Sequence, residues 1–211
     1  MQHTTGKKPQ VTGQSNKRHT EQNVKNRSLR TFRFIQKKEL LRRFAAKAQA
    51  KKSAIRLRRL EGTDRQEIRK ILENSKVFRD EEIGVAISLV DEFLHGSPDY
   101  RFLVAAGEDD SVLGYICYGH APMTSGTWDI YWIAVSRDFQ RRRIGSLLLE
   151  CSEKEIRGEG GRLIIIETSG KPSYRSTRKF YEKMGYRMGA RIAKFYSESD
   201  DKLIYCKYFA F

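Results

Sequence analysis

The sequence predicts an α/β (α+β) domain, a mixed sheet with helices on both sides, placed behind a strongly basic arm. Three observations predict it. Apolar residues recur with period 2 in some stretches and 3.6 in others, in the order β-α-α-β-β-β-α-β-α-β-β from residue 54 onward. One stretch, RLIIIE (162–167), is continuously apolar, as a strand covered on both faces must be. Finally, the formal charge of +15 is unevenly spread. Residues 1–52 hold 15 Lys/Arg against Glu21 and Glu39, a net +13, whereas the remaining 159 residues carry only +2.

Taken in order, AIRLRRL (54–60) alternates as a strand. Thr63 and Gln66 match a capping box for a helix that turns Ile68, Ile71 and Leu72 inward. A second helix follows, with Ile83, Ile87, Val90 and Leu94 on one face and Gly96 as its stop. YRFLVAA and VLGYICY, joined by GEDDS, read as a hairpin, and WDIYWIAV (128–135) as the next strand. A third helix repeats Ile144, Leu147, Leu148 and Cys151 at helical spacing and ends at GEGG. After the apolar strand, a fourth helix spans about Tyr174 to Met184 and stops at Gly185. Two strands around SESDD close the chain.

The body is thus close to neutral, and the basicity belongs to the arm. Residues 1 to about 30 are polar and almost free of aliphatic side chains, too poor in apolar surface to fold alone. From Phe32 to about Ala50, Leu40, Leu41 and Phe44 fall at helical spacing among Lys and Arg, which reads as a basic amphipathic helix. Such a segment is either a solvated tail or a contact for a polyanion such as RNA, a ribosome or an anionic membrane. Cys117, Cys151 and Cys206 are odd in number and far apart, with no CxxC or Cys/His cluster, so neither a disulfide framework nor a metal site is expected. No apolar run approaches the roughly 20 residues of a membrane span, and the opening MQHTTGKKPQ lacks the apolar core of a secretory signal. A reducing cytoplasm is the expected compartment.

The stretch richest in chemistry is VSRDFQRRRIGSLLLE (135–150). A buried strand ends, an Arg-rich loop follows, and a helix starts at once. That arrangement aims backbone N–H groups and the positive end of the helix dipole at one spot, where a phosphate fits. Arg141, Arg142 and Arg143 add bidentate donors. Neither the GxxxxGK[ST] nor the GxGxxG spacing is present. Read from these residues alone, the loop is either an anion site or a solvated turn.

WIAVSRDFQRRRIGSLLLE resembles the coenzyme-A-binding signature of the GNAT acetyltransferase superfamily, Q/R-x-x-G-x-G/A. Gln140, Ile144 and Gly145 match it, Ser146 follows, and Arg143 stands where the first glycine belongs. FYEKMGY (180–186) is similar to the family's closing helix-to-strand motif, and the element order agrees over residues 54–211. The resemblance implies a mostly antiparallel sheet and acetyl-CoA as cosubstrate, with no metal. It lays the pantetheine along Ile133, Ala134 and Val135 and the pyrophosphate over Gln140 to Ser146.

Acetyl transfer to an amine requires a base for the ammonium proton, donors for the developing oxyanion and a proton for the departing thiolate. The resemblance assigns the oxyanion donors to backbone N–H groups at Ile133–Val135 and the acid to Tyr181. Tyr181 is alternatively core, since Thr177, Phe180, Tyr181 and Met184 form an apolar face. For the base, Asp129 lies six residues before Val135, where some members carry a Glu, and Glu167 at the end of RLIIIE matches the position others use. Glu167 is preferred, because its strand borders the cleft beside the helix of Tyr181. A carboxylate at a strand end among apolar neighbours is expected to have a raised pKa. His120, in the loop before the Asp129 strand, is either a substrate contact or an ordinary loop histidine. Glu198, Asp200 and Asp201 are either a solvated turn or a lure for a cationic amine.

The expected activity is therefore N-acetylation of a primary amine of a small molecule or amino acid. Two alternatives remain: a protein N-acetyltransferase docked by its basic arm, and a non-catalytic acyl-CoA-binding adaptor. The acceptor, the acyl chain length and the oligomeric state, a homodimer included, stay open.

Overall fold

Alternating apolar periods do build the predicted succession of elements in the computed structural model, which describes residues 55–209. The arm of residues 1–52, its expected helix and its polyanion contacts lie outside the described residues. The strands are β1 (Arg56–Arg59), β2 (Arg101–Ala106), β3 (Val112–His120), β4 (Thr127–Val135), β5 (Leu163–Ser169), β6 (Arg187–Ser197) and β7 (Asp200–Tyr208). The helices are α1 (Asp64–Ser75), α2 (Asp80–Leu94), α3 (Ile144–Gly158) and α4 (Arg175–Lys183). Short 3-10 turns at Arg137–Phe139 and Pro172–Tyr174 lead into α3 and α4.

The strands form one sheet in the order β1-β2-β3-β4-β5-β7-β6. Every neighbouring pair is antiparallel except β4 and β5, which run parallel. A parallel pair needs a crossover, and α3 supplies it. Because strand side chains alternate in direction, the sheet has two apolar faces and a core on each. One core joins Ile68, Leu72, Ile87 and Val90 of α1 and α2 to Phe102, Val104, Tyr115 and Cys117. The other joins Ile144, Leu148, Leu149 and Ile156 of α3 to Trp128, Ile130, Ile164 and Ile166.

The start of α1 corrects one expectation. Thr63 occupies the cap position but already has helical angles (φ −65°, ψ −25°) and makes no side-chain cap bond. A cap hydroxyl reaches the first free N–H groups only from an extended backbone. Asp64 does the anchoring instead: its carboxylate accepts the N–H of Glu61 at 2.8 Å and two guanidinium bonds from Arg58 at 2.6 and 2.8 Å. The reciprocal acidic bond appears at α2, where Glu82 accepts the N–H of Arg79 at 2.8 Å.

Candidate active site

The pairing of β4 with β5 lasts four residues, from Thr127↔Leu163 to Ile130↔Ile166. Beyond that point β4 stays with β3 as far as Val135, and β5 stays with β7 as far as Ser169. The two strands therefore part in the middle of the sheet. The cause is local. Tyr118 opposes Ile130 while Cys117 opposes Trp132, so Tyr131 is an extra residue, a β-bulge. A bulge bends its strand and increases the local twist, which turns β4 away from β5. It also exchanges faces: Trp128 and Ile130 pack toward α3, and past the bulge Ile133 and Val135 do so. Trp132 and Ala134 turn toward α1 and α2.

The split leaves β4 from Tyr131 to Val135 without a strand partner on one side. At its end lies the Arg-rich loop. Gln140 Nε2 donates to the carbonyl of Val135 at 3.4 Å, tying the loop to the strand. Arg141 and Arg143 take left-handed angles, φ 62° and 65°. That backbone suits glycine, so Arg143 holds the conformation for which the signature's first glycine is suited. The N–H groups of Arg143, Ile144, Gly145 and Ser146 have no acceptor among the described residues. Together with the helix dipole they form an anion cradle. Arg142 lies with its guanidinium 4.7 Å from the centre of the Phe139 ring. A Cβ on Gly145 would stand 3.4 Å from the Phe180 ring and 3.7 Å from Val135, so α3, β4 and α4 converge here.

Tyr181 is buried on the α3 side of the sheet, among the rings of Phe180, Tyr186 and Tyr205 at 5.6, 6.3 and 6.0 Å. Its hydroxyl meets no hydrogen-bond partner among the described residues, and burial raises its pKa, with a smaller push from Tyr174. Such a phenol stays protonated. Asp129 and Glu167 occupy the alternate face, since they interleave with Trp128, Ile130, Ile164 and Ile166. Asp129 is half-buried, and burial and then the charge of Glu167 raise its pKa. Glu167 is exposed and paired with Lys202 at 2.6 Å. The chain thus brings both candidate bases to one side of the split and the candidate acid to the other.

Two other expectations resolve differently. His120 stacks on Trp128, ring centres 3.7 Å apart, on the face opposite Asp129. The acidic hairpin is engaged internally. Asp200 is buried and accepts from the Ser169 hydroxyl at 2.6 Å and the Gly170 N–H at 3.1 Å. Asp201 pairs with Arg191, and Glu198 with Lys194. Their role is to seat β7 against the end of β5 and to close the hairpin.

Sequence reasoning missed the aromatic lining on the side of Asp129. Tyr131 is pushed up to about 12 by burial and by the charge of Asp129, and its ring meets Tyr100 edge-on at 5.5 Å. Tyr174 is pushed up to about 12 by burial and then by Glu82 and Asp200. Tyr196 reaches about 12 through burial and the charges of Glu167, Asp200 and Glu82. Tyr174 and Tyr196 thus share two of the carboxylates that act on them, Glu82 and Asp200. Trp132, at the bulge, has a buried indole N–H without an acceptor among the described residues. The available signal was the adjacent Phe195-Tyr196 pair, both exposed, just before the acidic turn of the hairpin.

A mixed sheet split at its one parallel pair, with a helix N-terminus at the split, offers a strand edge and an anion cradle side by side, a place for an extended ligand that carries phosphate. The model of the acetyltransferase (GNAT) family matches residues 65–186, and the chain belongs to that family. A crystal structure of a GNAT-family protein from Desulfovibrio desulfuricans is 41% identical, covers 74% of this chain and 100% of its own, and superposes with a TM-score of 0.72. The ribosomal-protein-S18-alanine N-acetyltransferase of Escherichia coli, 17% identical over 75% of this chain and 96% of its own, shares the fold at a TM-score of 0.61. Among curated proteins, the N-terminal acetyltransferase B complex catalytic subunit NAA20 of Arabidopsis thaliana is 29% identical over 108 residues. That match spans 50% of this chain and only 60% of the relative's length. No helix among the described residues is long and apolar enough to cross a membrane.

Proposed function

We propose that the chain is an N-acetyltransferase that moves the acetyl group of acetyl-CoA onto a primary amine of a small molecule or amino acid, in the split between β4 and β5. One observation carries the reading: the split joins an unpaired strand edge, a cradle of four free N–H groups and a half-buried carboxylate of raised pKa. These groups fit the coenzyme's chemistry. Backbone at Ile133, Ala134 and Val135 would pair with pantetheine amides as an added strand does. Gln140, Arg141, Arg142, Arg143, Ile144, Gly145 and Ser146 would hold the pyrophosphate. Acetyl-CoA supplies an activated thioester, and the residues of this chain supply the rest.

Asp129 is the preferred base. Its raised pKa brings it nearer to that of a neutral-pH proton acceptor, whereas Glu167 is occupied by Lys202. Once deprotonated, the amine attacks the acetyl carbonyl. The oxyanion takes a β4 backbone N–H, the C–S bond breaks, and the Tyr181 phenol protonates the thiolate. Asp129, Glu167 and Glu82 with the tyrosines around them favour an acceptor that arrives as a cation.

A protein amine is the second reading, supported by the name of the Arabidopsis relative and by the arm's net charge of +13 over residues 1–52. The experiment is a screen of amines, amino acids and peptides with acetyl-CoA, following free thiol, on the full chain and on a chain lacking residues 1–52. Turnover of small amines independent of the arm supports the first reading. Arm-dependent turnover of peptides supports the second. Coenzyme binding without turnover of any amine would leave the adaptor.

A further inference from the structure

We propose that Lys202 is a self-acetylation site, modified by the acetyl-CoA held in the same split; the inference rests on the acetyl-transfer reading above. Lys202 lies on β7 opposite Ser169, on the strand next to β5, and faces the same side of the sheet as Glu167 and Asp129. Its ammonium donates to Glu167 at 2.6 Å. The register of β6 shapes its surroundings. Between Ile192↔Lys202 and Ser197↔Asp200, β6 has four residues where β7 has one. Lys194, within that excess, has a φ of 54°. The excess carries Phe195 and Tyr196 over the lysine, with Nζ 3.7 and 5.9 Å from their ring centres. Only 13% of the Lys202 side chain is exposed.

A box of one carboxylate and two aromatic rings is a receptor for an ammonium group, and it stands beside the carboxylate that the acceptor amine would meet. The resident of this box is itself a primary amine. Glu167 is already hydrogen-bonded to the proton that must leave, so it acts as base for Lys202 as Asp129 does for an external acceptor. The neutral Nζ attacks the acetyl carbonyl, a C–N bond forms, and the C–S bond breaks. The thiolate takes a proton from Tyr181, and the second Nζ proton, shed as the amide forms, returns through water to that phenolate. The products are Nε-acetyl-lysine and coenzyme A with a free thiol. The amide has no charge to offer Glu167, so the modified protein presents one more unpaired carboxylate to a cationic acceptor.

The test incubates the full chain with acetyl-CoA as the only added reagent and follows each lysine by peptide mass spectrometry. Uncatalysed acetylation favours exposed lysines such as Lys154, which sets the background. Self-acetylation predicts that Lys202 outpaces Lys154 despite its burial, at a first-order rate independent of protein concentration. Glu167→Gln should slow the mark at Lys202 by about 10²-fold and leave Lys154 unchanged. Lys202→Arg, which keeps the charge and the ring contacts, should fold and remain unmarked at that position. The proposal is overturned if Lys202 reacts no faster than Lys154, if its rate rises with protein concentration, or if Glu167→Gln leaves it unchanged. Calorimetry with acetyl-CoA separates the two readings. Coenzyme binding with an unmarked Lys202 removes this proposal alone, and no binding removes both.

Discussion

The two halves of β4 are both rich in apolar residues and have opposite uses. From Thr127 to Ile130, β4 is hydrogen-bonded on both edges, and Trp128 and Ile130 are almost fully buried. From Tyr131 to Val135 the same strand loses one neighbour, and its side chains turn half-exposed apart from Ala134. The first half holds the sheet together and fixes Asp129 in place, and the second gives up strand pairing to leave a strand edge open beside it. A single extra residue, Tyr131, separates them. The comparison teaches that this site is made by withdrawing hydrogen bonds from the middle of a sheet rather than by adding a loop to its rim.

Breaking the paired half should have the largest effect on folding. Trp128→Ala removes a fully buried side chain that touches His120 and Arg101, and should cost about 3–5 kcal/mol in denaturant unfolding. In the open half the effect should move to turnover. Tyr181→Phe keeps the ring and its three aromatic neighbours and removes a hydroxyl that has no partner among the described residues. Melting temperature and coenzyme affinity should change little while turnover falls about 10²–10⁴-fold. Near-normal turnover would return Tyr181 to core packing.

Asp129→Asn sharpens the contrast through pH. The folded-state pKa of Asp129 lies above its unfolded value, so the group's contribution to stability is fully present below the unfolded pKa and is lost as pH rises through the folded one. Asparagine removes that loss. The variant should gain melting temperature relative to wild type as pH rises from acid to neutral, while turnover drops and the acidic limb of its pH profile flattens. If Glu167→Gln shows this turnover pattern instead, the two carboxylates exchange roles.

The smallest effect concerns the loop. Arg143→Gly relieves a left-handed residue, worth about 1 kcal/mol, and removes at most one charge-assisted contact worth about 1.5–3 kcal/mol. Stability should hold or rise, and acetyl-CoA affinity should fall by less than about a hundredfold. Gly145→Trp, by contrast, should abolish binding, because its Cβ already stands in contact with Phe180 and Val135.

Most of the architecture was legible because it rests on periodicity. Ile68-Ile71-Leu72 and Ile144-Leu148 name the inward faces of α1 and α3; the apolar run ending at Glu167 names β5, but only Ile164 and Ile166 reach a core, and Leu163 and Ile165 stay partly exposed on the other face, where the expected cover is incomplete. The loop was legible through Gln140 and Gly145. The bulge was not: in WDIYWIAV every residue after Asp129 is apolar or aromatic, so one inserted residue there leaves no mark on the pattern. Thr63 makes no cap bond, and Asp64 anchors the start of α1 instead through Arg58 of β1 and the N–H of Glu61, contacts that a helix-capping pattern does not encode. The preference between Asp129 and Glu167 turns on Lys202, which lies 35 residues beyond Glu167 and meets it only through the β5–β7 register.

Hydrogen exchange of the full chain with and without acetyl-CoA tests the central claim most directly, since it reads the strand edge that the split leaves open. Binding should slow exchange at backbone amides within Tyr131–Val135 and at Arg143 through Ser146, and leave Thr127–Ile130 unchanged because those amides are already sheltered in the sheet. Protection confined to other parts of the chain, or equal in both halves of β4, would contradict the account.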